Sequence, residues 1–255
     1  MELALWRSFV SVRQVNTAQR SLLDERFQKG AEMLGSEDLS VRLGGIYALQ
    51  RLAEEQPEIY HVQVMELICA FVRHPTKDQG LTDGVYIDEE VPRADVTAVV
   101  EIVCKRNRAQ IQAERNAEFS LDLSKADLSY FDFGNTDLSS AKFYGARLYK
   151  TSFAKANMSN AHFADAMFSD VWPRTIRDST MDREYKPISH ANLREADLSG
   201  TSFSLQKGSR PAKGLMQRKL NEACADPDKE PKVEGVYDVE TRSPIVWGGI
   251  ACEKE

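Results

Sequence analysis

The stretch that decides the fold is Leu121–Phe168, LDLSKADLSYFDFGNTDLSSAKFYGARLYKTSFAKANMSNAHFADAMF. Reading every fifth residue from Leu123 gives Leu123, Leu128, Phe133, Leu138, Phe143, Leu148, Phe153, Met158, Phe163 and Phe168. In a chain that is 42% apolar, such an unbroken run in one frame would arise by chance in roughly two trials in ten thousand. Two positions before these residues the side chains are mostly small: Ala126, Thr136, Ala141, Ala146, Thr151, Ala156, Ala161 and Ala166. Neither the 3.6-residue period of a helix nor the two-residue period of a strand produces this pattern. The structural unit is five residues long, and short units of this kind bury their apolar side only by stacking.

The strings ADLSY, TDLSS, AKFYG, ARLYK, TSFAK, ANMSN and AHFAD, followed later by ANLRE, ADLSG and TSFSL, resemble the pentapeptide-repeat family, whose units read approximately A-(D/N)-L-x-x. The resemblance implies a right-handed, square-sectioned β-helix with four units per coil. The central Leu or Phe and the small residue before it point inward, and the other three positions face solvent.

The charges support a twenty-residue coil independently of that resemblance. Residues twenty apart should stack like neighbouring strands, ~4.8 Å apart. Asp122 then lies over Lys142, Asp127 over Arg147, Asp132 over Ser152 and Asp137 over Asn157, so no aspartate faces another acid. Inside, the same spacing stacks Phe143 on Phe163 and Phe133 on Phe153. Between Val171 and Pro187 the pattern lapses, with Pro173, Asp178 and Arg183 at the would-be central positions. Unpartnered Asp or Arg in the core would be costly, so this segment is expected to bulge out as a loop. The frame resumes at Ile188, Leu193, Leu198 and Phe203.

A stack with open ends invites strand pairing and needs lids. The flanks supply candidates, giving an α+β chain in three parts: a helical N-terminal domain over residues 1–116, the β-helix over 117–206 with an insertion at about 171–187, and a capping helix with an extended tail over 207–255. The periodicity predicts a first helix over about 2–34, stopped by Gly35, and a second helix capped by Ser36. Gly44 and Gly45 inside the second suggest a close approach of helices. Pro57 opens a third, and a fourth is expected from Ala94 to Arg115. In the tail, Leu215, Met216, Leu220 and Ala223 are expected to cover the last coil, with docking through Val236, Tyr237 and Trp247.

The stretch ERFQKGAEMLGSEDLSVRLGGIYALQRLAEE resembles the helical preface of a bacterial subgroup of pentapeptide-repeat proteins, which commonly follows membrane-spanning segments. The resemblance implies membrane attachment only through segments absent from this chain, and a place in the cytoplasm, at the inner face of a bacterial membrane where such segments exist. Trp6, Phe9, Val10 and Val15 fit a membrane-proximal or self-associating first helix, and a core-facing one at least as well.

Composition excludes several classes of function. The net charge of −6 is spread thinly, so no basic face for a nucleic-acid backbone is expected. None of the four cysteines forms a CxxC, and no HxxxH or HExxH occurs, so no metal site is expected. Cys69 and Cys104 lie in apolar stretches, where they read as small core residues and as free thiols of a reducing compartment. No phosphate-binding loop or nucleophile elbow is present. The neighbours Ser189 and His190 have no acid that the sequence places beside them. No catalytic residue and no cofactor are therefore assigned.

What the sequence does offer is surface. Tyr130, Tyr144 and Tyr149 occupy outward repeat positions, and Trp172 begins the insertion. Large aromatics are favoured anchors for protein partners. Tyr130 should also lie one coil below Lys150, where cation–π packing would account for it. The leading expectation is a non-catalytic protein-binding scaffold presenting a rigid β-helix surface to a protein partner. An alternative is DNA mimicry toward a type II topoisomerase, as the resemblance suggests. Residues 117–170 carry seven acids and five bases, which disfavours it. A regulator of an enzyme or toxin is a third class, to which no residue points.

Overall fold

In the computed structural model, residues 2–73, 92–168, 193, 196, 198, 201–203, 217–234, 236–238 and 241–252 are described, with side chains from residue 17 onward save 218 and 219. Five helices precede the repeats: α1 (Glu2–Leu34), α2 (Leu39–Glu55), α3 (Pro57–Arg73), α4 (Ala94–Cys104) and α5 (Arg108–Asn116). α2 packs on α1, α3 and α4, and α3 also meets α4 and α5.

The α1–α2 contact depends on missing side chains. A Cβ at Gly45 would sit 2.8 Å from the carbonyl oxygen of Gly30 and 2.8 Å from Cβ of Met33. One at Gly30 would sit 2.8 Å from Cγ of Leu49. The glycines weaken their helices but admit a backbone-to-backbone crossing.

Two helix boundaries differ from the sequence reading. The cap of α2 is Asp38 rather than Ser36: its carboxylate accepts from the backbone N–H of Ser40 at 2.8 Å and of Val41 at 3.4 Å. Ser36 instead accepts from the N–H of Asp38. The helix expected over Ala94–Arg115 is two helices. Asn107 and Gln110 form a reciprocal capping box that starts α5 afresh after α4 ends, because capping satisfies amides that a continuous helix would not leave open.

From Leu121 onward the chain winds as a ladder. Parallel bridges join Asp122 to Lys142, Asp127 to Arg147, Asp132 to Ser152 and Asp137 to Asn157, and the next coil joins Lys142 to His162 and Arg147 to Met167. Four bridges in twenty residues give four walls per coil. Each rung is held by backbone bonds such as Leu123 N–H to Lys142 O at 2.8 Å and Lys142 N–H to Leu121 O at 2.8 Å. Each corner is a tight turn whose second residue has positive φ: Lys125, Tyr130, Asn135, Ser140, Gly145, Lys150, Lys155, Asn160 and Asp165. Only one of these nine is glycine, although a side chain in this conformation costs about 1 kcal/mol or more. The ladder outweighs that strain at every corner.

The interior is the predicted one. Leu123, Phe133, Phe143, Phe153, Phe163 and Phe168 are fully buried, as are the small residues Ala126, Ala141, Thr151 and Ala161. Phe143 and Phe163 stack with ring centroids 4.7 Å apart and planes 1° from parallel, and Phe133 stacks on Phe153 at 5.5 Å.

Above Phe163 the ladder continues, but the count of residues changes. His162 bridges to Ser202, forty residues on, and Phe203 stacks on Phe163 at 5.3 Å. One coil's worth of chain is omitted from this wall. The insertion at 171–187 lies outside the described residues. Ser202 then bridges to Lys232, and Leu198 N–H donates to Cys224 O at 2.8 Å, so the tail supplies further rungs. A short helix, α6 (Gln217–Leu220), precedes strand β1 (Cys224–Ala225), which pairs in parallel with β2 (Ile250–Ala251). Leu220, Ala223, Val236 and Ile245 close the core. Trp247 packs against that core. Tyr237, expected to dock the tail, is 58% exposed, while Leu215 and Met216 lie outside the described residues.

Cys69 and Cys104 are free thiols, but Cys224 and Cys252 form a disulfide. The reading of Cys69 and Cys104 as free thiols agrees with this, and the sequence assigns no pairing to Cys224 and Cys252.

Candidate protein-binding surface

The outward aspartates hold the repeat in shape. The carboxylate of Asp122 accepts from Ser124 N–H at 3.1 Å, Asp127 from Ser129, Asp132 from Gly134 and Asp137 from Ser139. Each closes a local turn that directs the chain into the next corner. The ion pair from Arg147 to Asp127, at 3.0 Å, runs between successive coils. Two of the walls thus set an acid beside a base, and the other two set Asp132 and Asp137 beside neutral Ser152 and Asn157.

The first coil has no coil beneath it, so its outward carbonyls lack the donors that later coils enjoy. The helices provide them. Arg106 donates to Asp137 O, and the Cys104 thiol lies 3.7 Å from Asp132 O. Arg73 pairs with the Asp122 carboxylate, and Arg115 with that of Asp137 at 2.8 Å. Burial pushes the Asp122 carboxyl up, but hydrogen bonding from Ser124 and the charges of Arg73 and Lys142 hold it below the usual range. Behind this contact, Glu114 joins His61 at 2.8 Å to Arg106 at 2.6 Å. All three side chains are less than a tenth exposed, so this histidine–carboxylate pair supports the lid and has no substrate access. A cleft of about 460 Å³ opens where lid meets coil, lined by Glu66, Cys69, Arg73, Glu118, Asp122 and Lys142 among others. Its thiol is inert, because burial pushes Cys69 up to about 12.

The outward aromatics form two groups on neighbouring corners. Tyr130 and Tyr149 meet edge to face at 5.4 Å, with the Lys150 ammonium 5.1 Å from the Tyr130 ring and 5.3 Å from the Tyr149 ring. Tyr144, on the corner before, stacks on His162 at 5.7 Å and 18°. All three tyrosines are half-buried. Burial, then the nearby Asp122 carboxylate, raises the Tyr144 phenol, while burial and the charges of Lys142 and Lys232 lower the His162 imidazole. Between the two groups runs the wall of Asp127, Arg147 and Met167. The structure does not gather the tyrosines into one patch; it sets them on both sides of a wall. Trp172 lies outside the described residues, as do Ser189 and His190. The stacking of Tyr144 on His162 was legible only to a reading of residues eighteen apart, since one lies before and the other after its central phenylalanine.

Among the described residues no cluster of His, Cys, Asp or Glu could hold a metal ion, and no helix is long and apolar enough to cross a membrane.

A twenty-residue rung spacing, an apolar axis and turns at every fifth residue define a solenoid of the parallel β-helix class. Its unit is the pentapeptide repeat: the family model for pentapeptide repeats matches residues 121–153 and 143–172 in eight copies, so the chain carries a pentapeptide-repeat domain, a type of repeat that implies a right-handed quadrilateral β-helix. Among solved structures it is similar to the pentapeptide repeat protein Rfr23 from the cyanobacterium Cyanothece 51142, with 21% identity over 50% of this chain and 65% of that one and a TM-score of 0.25. It is also similar to a pentapeptide repeat protein from the Arabidopsis thaliana thylakoid lumen, with 22% identity, 41% and 60% coverage and a TM-score of 0.18. A third is QnrB1, a plasmid-mediated fluoroquinolone resistance protein, with 18% identity, 42% and 63% coverage and a TM-score of 0.16. The matched region spans less than two thirds of each of these chains. No curated protein matches the sequence.

Proposed function

We propose that the protein is a non-catalytic scaffold that binds a protein partner through the walls of its β-helix. The observation that carries this reading is the placement of Tyr130, Tyr149 and Lys150 on one rigid corner and Tyr144 with His162 on the next. Aromatic rings fixed by their neighbours lose little side-chain freedom on binding, which makes them economical anchors. The wall between them offers the Arg147–Asp127 pair and the half-buried Met167, a mixed surface suited to a polypeptide. The cleft beside Asp122 and Lys142 extends the wall on which Tyr144 and His162 lie. The acid beside base on the Asp122–Lys142 and Asp127–Arg147 walls fits a protein partner better than the acidic rod that DNA mimicry toward a topoisomerase requires.

The helical lid supports placing the chain in the bacterial subgroup that carries such a preface, with membrane tethering through segments outside this chain. Self-association through α1 is a further possibility of the same kind, resting on Trp6, Phe9, Val10 and Val15, whose side chains lie outside the described residues.

The test compares the proteins captured from a bacterial lysate by the native chain and by a Tyr144→Ala/Tyr149→Ala variant of equal melting temperature. A specific protein held by the first and at least tenfold depleted with the second supports the reading. Equal recovery of every captured protein counts against it.

A further inference from the structure

We propose that the Cys224–Cys252 disulfide is a redox clasp on the C-terminal lid: oxidised, it holds the outermost strand over the end of the β-helix, and a dithiol reductant releases that strand. The two cysteines are held by unequal means. Cys224 is built into the stack, with its carbonyl accepting from Leu198 N–H at 2.8 Å and its N–H donating to Ala196 O at 3.0 Å. Its neighbours Ala223 and Ala225 are buried. Cys252 has little of this support. It follows β2, where Ile250 is 66% exposed and Ala251 is also exposed, so the strand buries almost no apolar surface of its own. The bonds donated by Ile250 and Cys252 are long, Ile250 N–H to Ala223 O at 3.4 Å and Cys252 N–H to Ala225 O at 3.2 Å, against 2.7–3.0 Å along the main ladder from Leu123 to Leu148.

Without the sulfur–sulfur bond, β2 rests on a parallel pairing with β1 only two residues long, flanked by two long hydrogen bonds, and on an exposed side chain. The next firm attachments toward the N-terminus are Trp247, packed against the core, and the pair of bonds between the Gln217 side chain and the Val246 backbone, at 2.7 and 2.9 Å. Segment 248–252 is the part that reduction would free. Both cysteines are half-buried rather than sealed, so a small thiol can reach them. In the step, a thiolate of the reductant attacks one sulfur, the S–S bond breaks, and the reductant's second thiolate resolves the mixed disulfide. The chain gains two electrons and two protons as two thiols, and the reductant becomes a disulfide. Release uncovers the Ala223 and Ala225 carbonyls, an open parallel edge able to accept another strand. The closed form belongs to an oxidising compartment. This inference is independent of the tyrosine surface.

The test uses the full chain produced under oxidising conditions. Alkylation of the unfolded, unreduced protein should label two cysteines, Cys69 and Cys104, and leave Cys224 and Cys252 joined as one cross-linked peptide. Hydrogen exchange should then be at least tenfold faster at Ile250–Cys252 after dithiothreitol, with Leu198, Phe163 and α3 unchanged. A Cys252→Ser variant should show that fast exchange without reductant and no response to it. Labelling of all four cysteines, unchanged exchange at 250–252 on reduction, or loss of protection throughout the stack would each overturn the proposal.

Discussion

The two ends of the β-helix face one physical problem, an open row of backbone groups, and close it by different chemistry. The N-terminal end is covered by helices that carry charged side chains to the orphaned carbonyls, with Arg106 reaching Asp137 O and Arg73 and Arg115 pairing with Asp122 and Asp137. The C-terminal end is covered by more ladder: Lys232 and Cys224 continue the walls, β2 adds one last rung, and a covalent bond fastens it. A helical lid must be assembled from its own core before it can serve, whereas a tail can be laid on only after the stack exists. The first lid is thus built of helices with apolar faces of their own, and the second is an extension of the repeat.

The comparison can be broken most forcibly at Arg106. Its side chain is 3% exposed and bonds the Glu114 carboxylate and the Asp137 carbonyl together. Arg106→Met removes the donor to the Asp137 carbonyl and leaves the buried Glu114 carboxylate with His61 but without its cation, and should lower the free energy of urea unfolding by about 3–5 kcal/mol. At the other end, a Cys224→Ser/Cys252→Ser chain loses a cross-link spanning 28 residues, worth about 3.6 kcal/mol by the loop-entropy relation. The two sites lie at opposite ends of the stack, so the two losses should add when combined. Gly45→Ala tests the inner architecture of the helical lid alone. Its Cβ would meet the Gly30 carbonyl and Met33, and the expected loss is about 1–3 kcal/mol, with exchange at Phe163 still slow in the native baseline.

The smallest effect concerns acid. Burial, then Lys142 and Lys232, depresses the His162 imidazole, so the folded chain binds this proton less readily than the unfolded chain. Its contribution to stability is complete above the ordinary histidine value of about 6.5 and declines as the pH falls through the folded value. A His162→Gln chain should lack that component, and its stability relative to the native chain should improve as the pH is lowered from 7 to 5, read by thermal unfolding.

How much of this was legible in the sequence follows from which forces repeat. The walls, the stacked phenylalanines and the Asp122–Lys142 and Asp127–Arg147 neighbours could be read because each coil obeys the same steric rule every five residues. The cation–π contact of Lys150 with Tyr130 follows from the same count. The tail rungs could not, since Lys232 and Cys224 sit in segments with no five-residue pattern and reach their walls by individual turns. The break between α4 and α5 had a local signal, Asn107 three residues before Gln110, that helical periodicity alone overrode. Gly30 gave no hint of its role, because a glycine's value at a crossing lies in the other helix. The candidate surface was legible as a set of residues but not as two groups on separate corners.

The passage from His162 to Ser202 has a consequence for how such a molecule can change. A rung accepts whatever strand arrives at the right height and orientation, indifferent to how much chain was travelled in between. Lengthening the excursion costs little, about 0.6 kcal/mol for each doubling of a flexible loop, while the Phe163–Phe203 stack fixes the landing point. The prism is in this sense an address system, and new sequence can be spliced between two addresses without renumbering the building.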